Sequence, residues 1–184
     1  MSSTDLNQAF ATYFDSIDRC QSGNAYWPLL HVIVCLPDIC AALQSDDGET
    51  TRARYKDWCT KYFAEPLLNA EERYRMRCKV LHQGRASTDQ PGRYLGFAFG
   101  QPTGPTSDHL REEKGILHLD VAKLATEYRQ AVATWIKFIE SSSKSPEAAA
   151  VATHLPSLVQ VALVGVPISP DKPGDGVVQI LKTY

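Results

Sequence analysis

Leu6, Phe10, Tyr13, Phe14 and Ile17 recur at three- and four-residue spacing, and Val121, Leu124, Tyr128, Val132, Trp135, Ile136 and Ile139 repeat that rhythm far along the chain. Only a helix gathers such positions on one side. The spacing predicts a helix over about residues 4–19, ended by Gln21-Ser-Gly-Asn, and a longer one from its cap Asp120 to about Glu140. Both stripes have to be buried, and a chain of 184 residues with 43% apolar content is long enough to bury one real core, as a single domain or two small ones. Collagen-like, mucin-like and strongly disordered classes are excluded by the same composition.

Between these helices the most apolar stretch of the N-terminal half runs from Tyr26 to Leu43. Pro28 suits a first helical turn, whereas Pro37 removes a backbone donor and is expected to kink or divide the helix. Asp38 then has two roles open to it: capping the second half, or meeting a partner from elsewhere. After the polar turn Ser45-Asp-Asp-Gly-Glu, a shorter helix is predicted over about residues 50–63, with Tyr55, Trp58, Cys59 and Tyr62 inward. The next helix has a clear start, because Asn69 and Glu72 form a capping box and the acids at 71 and 72 suit the positive helix end. It should run to about His82, with Gly84 ending it.

The remainder carries a strand signal and a tail. Tyr94-Leu-Gly-Phe-Ala-Phe alternates large and small residues, and Gly115-Ile-Leu-His-Leu is expected to pair with it as a two-stranded hairpin resting on helices. Residues near 93–119 are therefore a small hairpin insertion in a domain spanning residues 1–140. Residues 141–184 form a C-terminal extension packed on that domain, with an Ala-rich helix near Pro146 and strand, helix or tail beyond Ser157.

Five cysteines, at positions 20, 35, 40, 59 and 78, include no C-x-x-C pair and read as reduced packing residues. The five histidines do not combine with them at structural-metal spacings, so no metal and no cofactor are expected. No stretch approaches ~18 uninterrupted apolar residues and the start lacks the order of a signal peptide, which points to a soluble cytoplasmic protein without a membrane partner. Charge is uneven beneath a net of −2. Residues 52–93 hold ten Lys and Arg against five Asp and Glu, a balance of +5, either a solvated helical face or an anion-attracting surface.

On the helix of residues 70–82, Tyr74, Cys78 and Leu81 form an apolar arc at ~100° per residue, flanked by Arg77 and His82, while Arg75 and Lys79 point further outward. Arg77 and His82 lie about 140° apart around the axis, too far for an ideal side-by-side pair. They would come together facing a groove, or across a two-fold axis with a second subunit. Histidine exchanges a proton near neutral pH, and a fixed guanidinium orients a phosphate while opposing charge on its oxygens. On RNA the neighbouring 2′-hydroxyl supplies the nucleophile. Arg77 and His82 are then the catalytic candidates, with Arg75, Lys79 and Arg85 drawing the phosphate chain and Asp38 as a supporting acid. The structural alternative pairs Arg77 with an acid such as Asp38 and His82 with a C-terminal carbonyl.

Arg77-Cys-Lys-Val-Leu-His82, set within Tyr74-Arg-Met-Arg-Cys-Lys-Val-Leu-His-Gln-Gly, resembles the Arg-x4-His element that ends the third core helix of the HEPN superfamily. The likeness takes in Arg54-Tyr-Lys-Asp-Trp-Cys-Thr-Lys-Tyr and the Asp120–Trp135 helix, roughly residues 4–140. It implies a mainly α, HEPN-like helical bundle, a homodimer with composite sites, and metal-independent RNA cleavage in toxin–antitoxin, phage-defence or RNA-processing systems, with an antitoxin or regulatory protein as partner. The motif residues correspond to Arg77 and His82. Where the family often has Asn, Asp or His after the motif Arg, this chain has Cys78. That departure motivates the alternative, a non-catalytic HEPN-like RNA-binding or protein-interaction dimer. An all-helical enzyme acting on another nucleotide-like anion is a third reading.

Overall fold

The computed structural model describes residues 3–64, 66–84, 93–98 and 108–157 of the chain. Its elements follow in the order α1 (Ser3–Ser22), α2 (Tyr26–Leu43), α3 (Arg52–Tyr62), α4 (Ala70–Gln83), β1 (Tyr94–Ala98), β2 (Glu112–Glu113), β3 (Ile116–Asp120), α5 (Val121–Ser141) and α6 (Pro146–His154), then a short 3-10 turn. The fold is mainly helical with one small sheet. α2 is the axis of the bundle, since α1, α3, α4, α5 and α6 all pack on it. Its length of 18 residues and mean hydropathy of 1.6 would let it cross a membrane by composition alone, yet half of it is buried inside the bundle.

The predicted stripes face this core: Leu6, Phe10 and Ile17 from α1, Tyr55, Trp58, Cys59 and Tyr62 from α3, and Leu124, Tyr128, Val132, Trp135 and Ile139 from α5 are all buried. Each such side chain contributes on the order of 2 kcal/mol when removed from water, which is why the apolar rhythm decides the fold. α6, capped by Ser145, adds Ala148 and Val151 to the same core. The expected extension beyond Ser157 lies outside the described residues.

Pro37 neither divides α2 nor makes Asp38 a cap: one helix runs unbroken through it. The missing donor costs the bond to the Ile33 carbonyl, but Pro37, Ile33, Leu36 and Cys40 are buried, and their packing holds the helix together. Asp38 thereby stays on a helical face turned toward α4.

The expected two-stranded hairpin is also corrected. β1 pairs with β3 in parallel, Tyr94 opposite Ile116 and Ala98 opposite Asp120, while β2 takes the antiparallel place beside β3. The cause is the two-residue turn Lys114–Gly115, whose φ angles of 51° and 75° are both left-handed, the geometry that folds β2 straight back onto β3. That leaves only the far edge of β3 for β1. Gly96 permits the approach there, since a Cβ would stand 2.8 Å from Ile116 Cγ2.

A buried polar network fastens this sheet to α4 and α5. The Arg73 side chain is 1% exposed; its Nε donates to the Leu68 carbonyl at 3.1 Å, Nη2 to Glu127 Oε2 at 3.3 Å, and its guanidinium lies 3.7 Å from the Phe63 ring centroid. His109 accepts the Asp120 N–H on Nδ1 at 3.0 Å, so its proton sits on Nε2, which donates to Glu127 Oε1 at 2.8 Å. Arg93, beside β1, pairs with Glu72 of α4 at 3.3 Å. Burial alone would raise the Glu127 carboxyl, but His109 and Arg73 outweigh it and hold it below the usual glutamate range.

Candidate functional site

α4 is fixed at both ends before any site chemistry begins. Asn69 Oδ1 accepts the Glu72 N–H and Glu72 Oε2 accepts the Asn69 N–H, each at 3.0 Å, which is the expected capping box. At the other end Gly84 adopts φ 60°, and its N–H bonds to the Lys79 carbonyl. The rotation of the helix differs from expectation. Its buried positions are Glu72, Arg73, Met76 and Val80, whereas Tyr74, Cys78 and Leu81 are half-buried. The apolar pattern misplaced the inner face because two of the inward side chains are charged, Glu72 meeting Arg93 and the cap and Arg73 meeting Glu127.

This rotation turns Arg77 toward α2. Its Nε donates to Asp38 Oδ2 at 2.6 Å, and its Nη1 lies 3.2 Å from His82 Nε2 and 3.9 Å from Cys78 Sγ. Arg77 and His82 thus meet side by side within one chain, against the expectation drawn from their angular separation. Helical side chains lean toward the N-terminus, so His82 reaches back along the axis while the long guanidinium arm spans the remaining arc. A guanidinium has no acceptor, so in this contact the Nε2 lone pair of His82 is the accepting partner. Among the described residues Arg77 Nη2 has no protein hydrogen bond.

The cluster sits at the boundary between core and solvent. The Arg77 and Asp38 side chains are 22% and 15% exposed, and His82 is exposed. Burial pushes the Asp38 carboxyl above its usual range, with the Arg77 hydrogen bond and the charges of Arg77 and His82 opposing it. Burial likewise raises Cys35, one turn earlier on α2, with the Asp38 charge adding to the effect and Arg77 reducing it. For Arg77 burial works against the charge, but the Asp38 hydrogen bond wins and holds the guanidinium above its ordinary value. His31, which shares a face with Asp38, is not part of the cluster: its Nδ1 contacts the Trp27 carbonyl at 2.9 Å.

The expected phosphate-binding residues have different surroundings. Arg75 does not extend freely outward; its Nε donates to Glu71 at 2.9 Å, and the same carboxylate meets Arg52 at 2.5 Å and Lys56 at 3.0 Å. Lys79 is half-buried on the same helix, and Arg85 lies outside the described residues. Arg52 and Lys56 are additions to the basic surface that motif reading passed over. Their i, i+4 spacing within the +5 segment was the available signal, but only the packing of α3 on α4 sets them beside Arg75. Among the described residues no three His, Cys, Asp or Glu side chains stand together as a metal site. No family model, curated protein or solved structure matches the chain.

Proposed function

We propose that the protein is a HEPN-like, metal-independent endoribonuclease that works as a cytoplasmic homodimer. The observation that supports this reading most is the 3.2 Å contact of Arg77 with His82 at the solvent boundary, with Asp38 holding the guanidinium from behind through Nε. Asp38 orients Arg77 while leaving its outer edge for an anion. A phosphate arriving there takes over the Nη donors and releases the His82 lone pair to act as a base.

Cleavage then needs no external nucleophile. The 2′-oxygen attacks phosphorus, the 2′-proton passes to an imidazole, the P–O5′ bond breaks, and O5′ leaves with a proton, producing a 2′,3′-cyclic phosphate. Arg77 opposes the charge that grows on the non-bridging oxygens. A two-fold axis beside α4 would bring a second Arg77 and His82 to the same phosphate, so that one imidazole accepts a proton as the other donates one. Incubation of RNA with the purified protein in EDTA tests the reading: cyclic-phosphate ends are expected, and are expected to vanish in both R77A and H82A with folding retained. Cleavage that survives both substitutions rejects these roles.

A second reading is favoured by a specific contact. The acceptor nitrogen of His82 is occupied by Arg77, and Cys78 stands against the same guanidinium where the resembling family often has a polar residue. A non-catalytic RNA-binding or protein-interaction dimer would keep that arrangement closed. RNA binding without product in EDTA, together with a dimer that persists in R77A/H82A, favours this second reading.

A further inference from the structure

The clearest unassigned feature of the surface is the meeting of Arg52, Lys56 and Arg75 on the single carboxylate of Glu71. Three cations against one acid leave a surplus of two positive charges on a patch shared by α3 and α4. Among the described residues no other acid pairs with these three side chains. They remain reachable, between 37% and 57% exposed, so the pairing has not removed them from solvent. The Lys56 hydrogen bond first, joined by Arg75 and the charges of Lys56 and Arg52, outweighs the opposing effect of burial and holds Glu71 down at about 2, so the acid stays ionised throughout the neutral range.

The patch is aligned with the candidate site. Glu71, Arg75, Cys78 and His82 follow one another at four-, three- and four-residue steps, which confines them to an arc of about 60° on α4 at ~100° per residue. Seven residues separate Arg75 from His82, about 10 Å along the axis. The interval is bridged by Tyr74, over whose ring the Arg52 guanidinium stands at 5.4 Å, and by Cys78, which contacts Arg77 at 3.9 Å. A single strand crossing this face would meet a cationic patch, an aromatic ring, and the Arg77–His82 pair in turn.

We propose that Arg52, Lys56 and Arg75 form a second phosphate-binding subsite for single-stranded RNA, holding a nucleotide that neighbours the one at Arg77 and His82. The inference rests on the ribonucleotide reading of that pair. Glu71 gathers the three cations in the absence of nucleic acid and tempers their attraction for it. The subsite positions the strand and takes no part in proton transfer.

A 2′-O-methyl oligoribonucleotide, which lacks the nucleophile, separates binding from cleavage. Arg52→Ala with Lys56→Ala should weaken its binding about tenfold and reduce the slope of log affinity against log salt by roughly 0.7 for each phosphate no longer neutralised. Glu71→Gln should act in the opposite sense, tightening binding about fivefold by removing a nearby like charge. A staple that merely joins α3 to α4 would instead lower the melting temperature in all variants and leave affinity alone. Unchanged affinity in folded R52A/K56A and E71Q overturns the subsite whatever the cleavage assay gives, as does failure of the wild type to bind at low salt. Opposite shifts in affinity without cleavage of ordinary RNA support the subsite while removing the nuclease reading.

Discussion

Arg73 and Arg77 stand four residues apart on α4, each paired with an acid from another helix, and their surroundings differ in almost every other respect. Arg73 is enclosed: Leu68, Glu127 and the Phe63 ring take up its guanidinium, and Glu127 is further held by His109. Arg77 gives Nε to Asp38 and turns its other edge toward the exposed His82. The balance of forces on the acids differs too. At Glu127 the partners overcome burial and lower the carboxyl, whereas at Asp38 burial prevails and raises it. One helix therefore carries an enclosed arginine that fastens the fold and another with an edge open to solvent, and access to donors, more than residue type, separates structure from chemistry.

The two arginines should differ most in what they contribute to stability. Arg73→Ala leaves Glu127 half-buried with one partner fewer and should cost about 3–5 kcal/mol, a fall in melting temperature of roughly 10 °C. Glu127→Gln should cost about 2 kcal/mol at neutral pH, since it removes the counter-charge from a buried guanidinium. Arg77→Ala, whose acid keeps some exposure to water, should cost about 1 kcal/mol in urea unfolding. His82→Ala should stay within about 0.5 kcal/mol of the parent. Equal costs at positions 73 and 77 would erase the distinction.

Acid titration sharpens it further, because the two acids carry opposite linkage. Glu127 is lowered from an ordinary value of 4.5, so its contribution is present above that value and is lost as pH falls through the lower folded one. Asp38 is raised from 3.8, so its contribution is present below that value and is lost as pH rises through the higher folded one. Melting temperatures followed from acid to neutral pH should show wild type gaining on E127Q as pH rises and losing ground to D38N. Parallel slopes would mean that both acids sit in the same balance.

The helices were legible because periodic apolar residues and end signals are local. The Asn69–Glu72 box, the Gly84 stop and the α3 inner face all follow from spacings of three or four residues. The parallel seat of β1 was not, since it depends on β2, two glutamates with no strand signature, claiming the other edge of β3. The inner face of α4 escapes the apolar pattern for a related reason: Arg73 and Glu72 look solvent-facing until Glu127, His109 and Arg93 arrive from distant parts of the chain. Arg77, His82 and Asp38 were named from the sequence, but their meeting required an unbroken helix through Pro37 and a side-chain reach that angular plots ignore. Arg52 and Lys56 carry an i, i+4 signal on α3, but their cluster with Arg75 exists only through the packing of α3 on α4.

That the open arginine and its histidine act on a phosphate is tested by product analysis of RNA incubated in EDTA with wild type, R77A, H82A and the conservative variant R73K. Cyclic-phosphate ends are expected from wild type and from R73K wherever it remains folded, with the rate falling about 10²- to 10⁴-fold in R77A and H82A. Equal product from R77A, H82A and wild type, or no product from wild type at any RNA concentration, would contradict it.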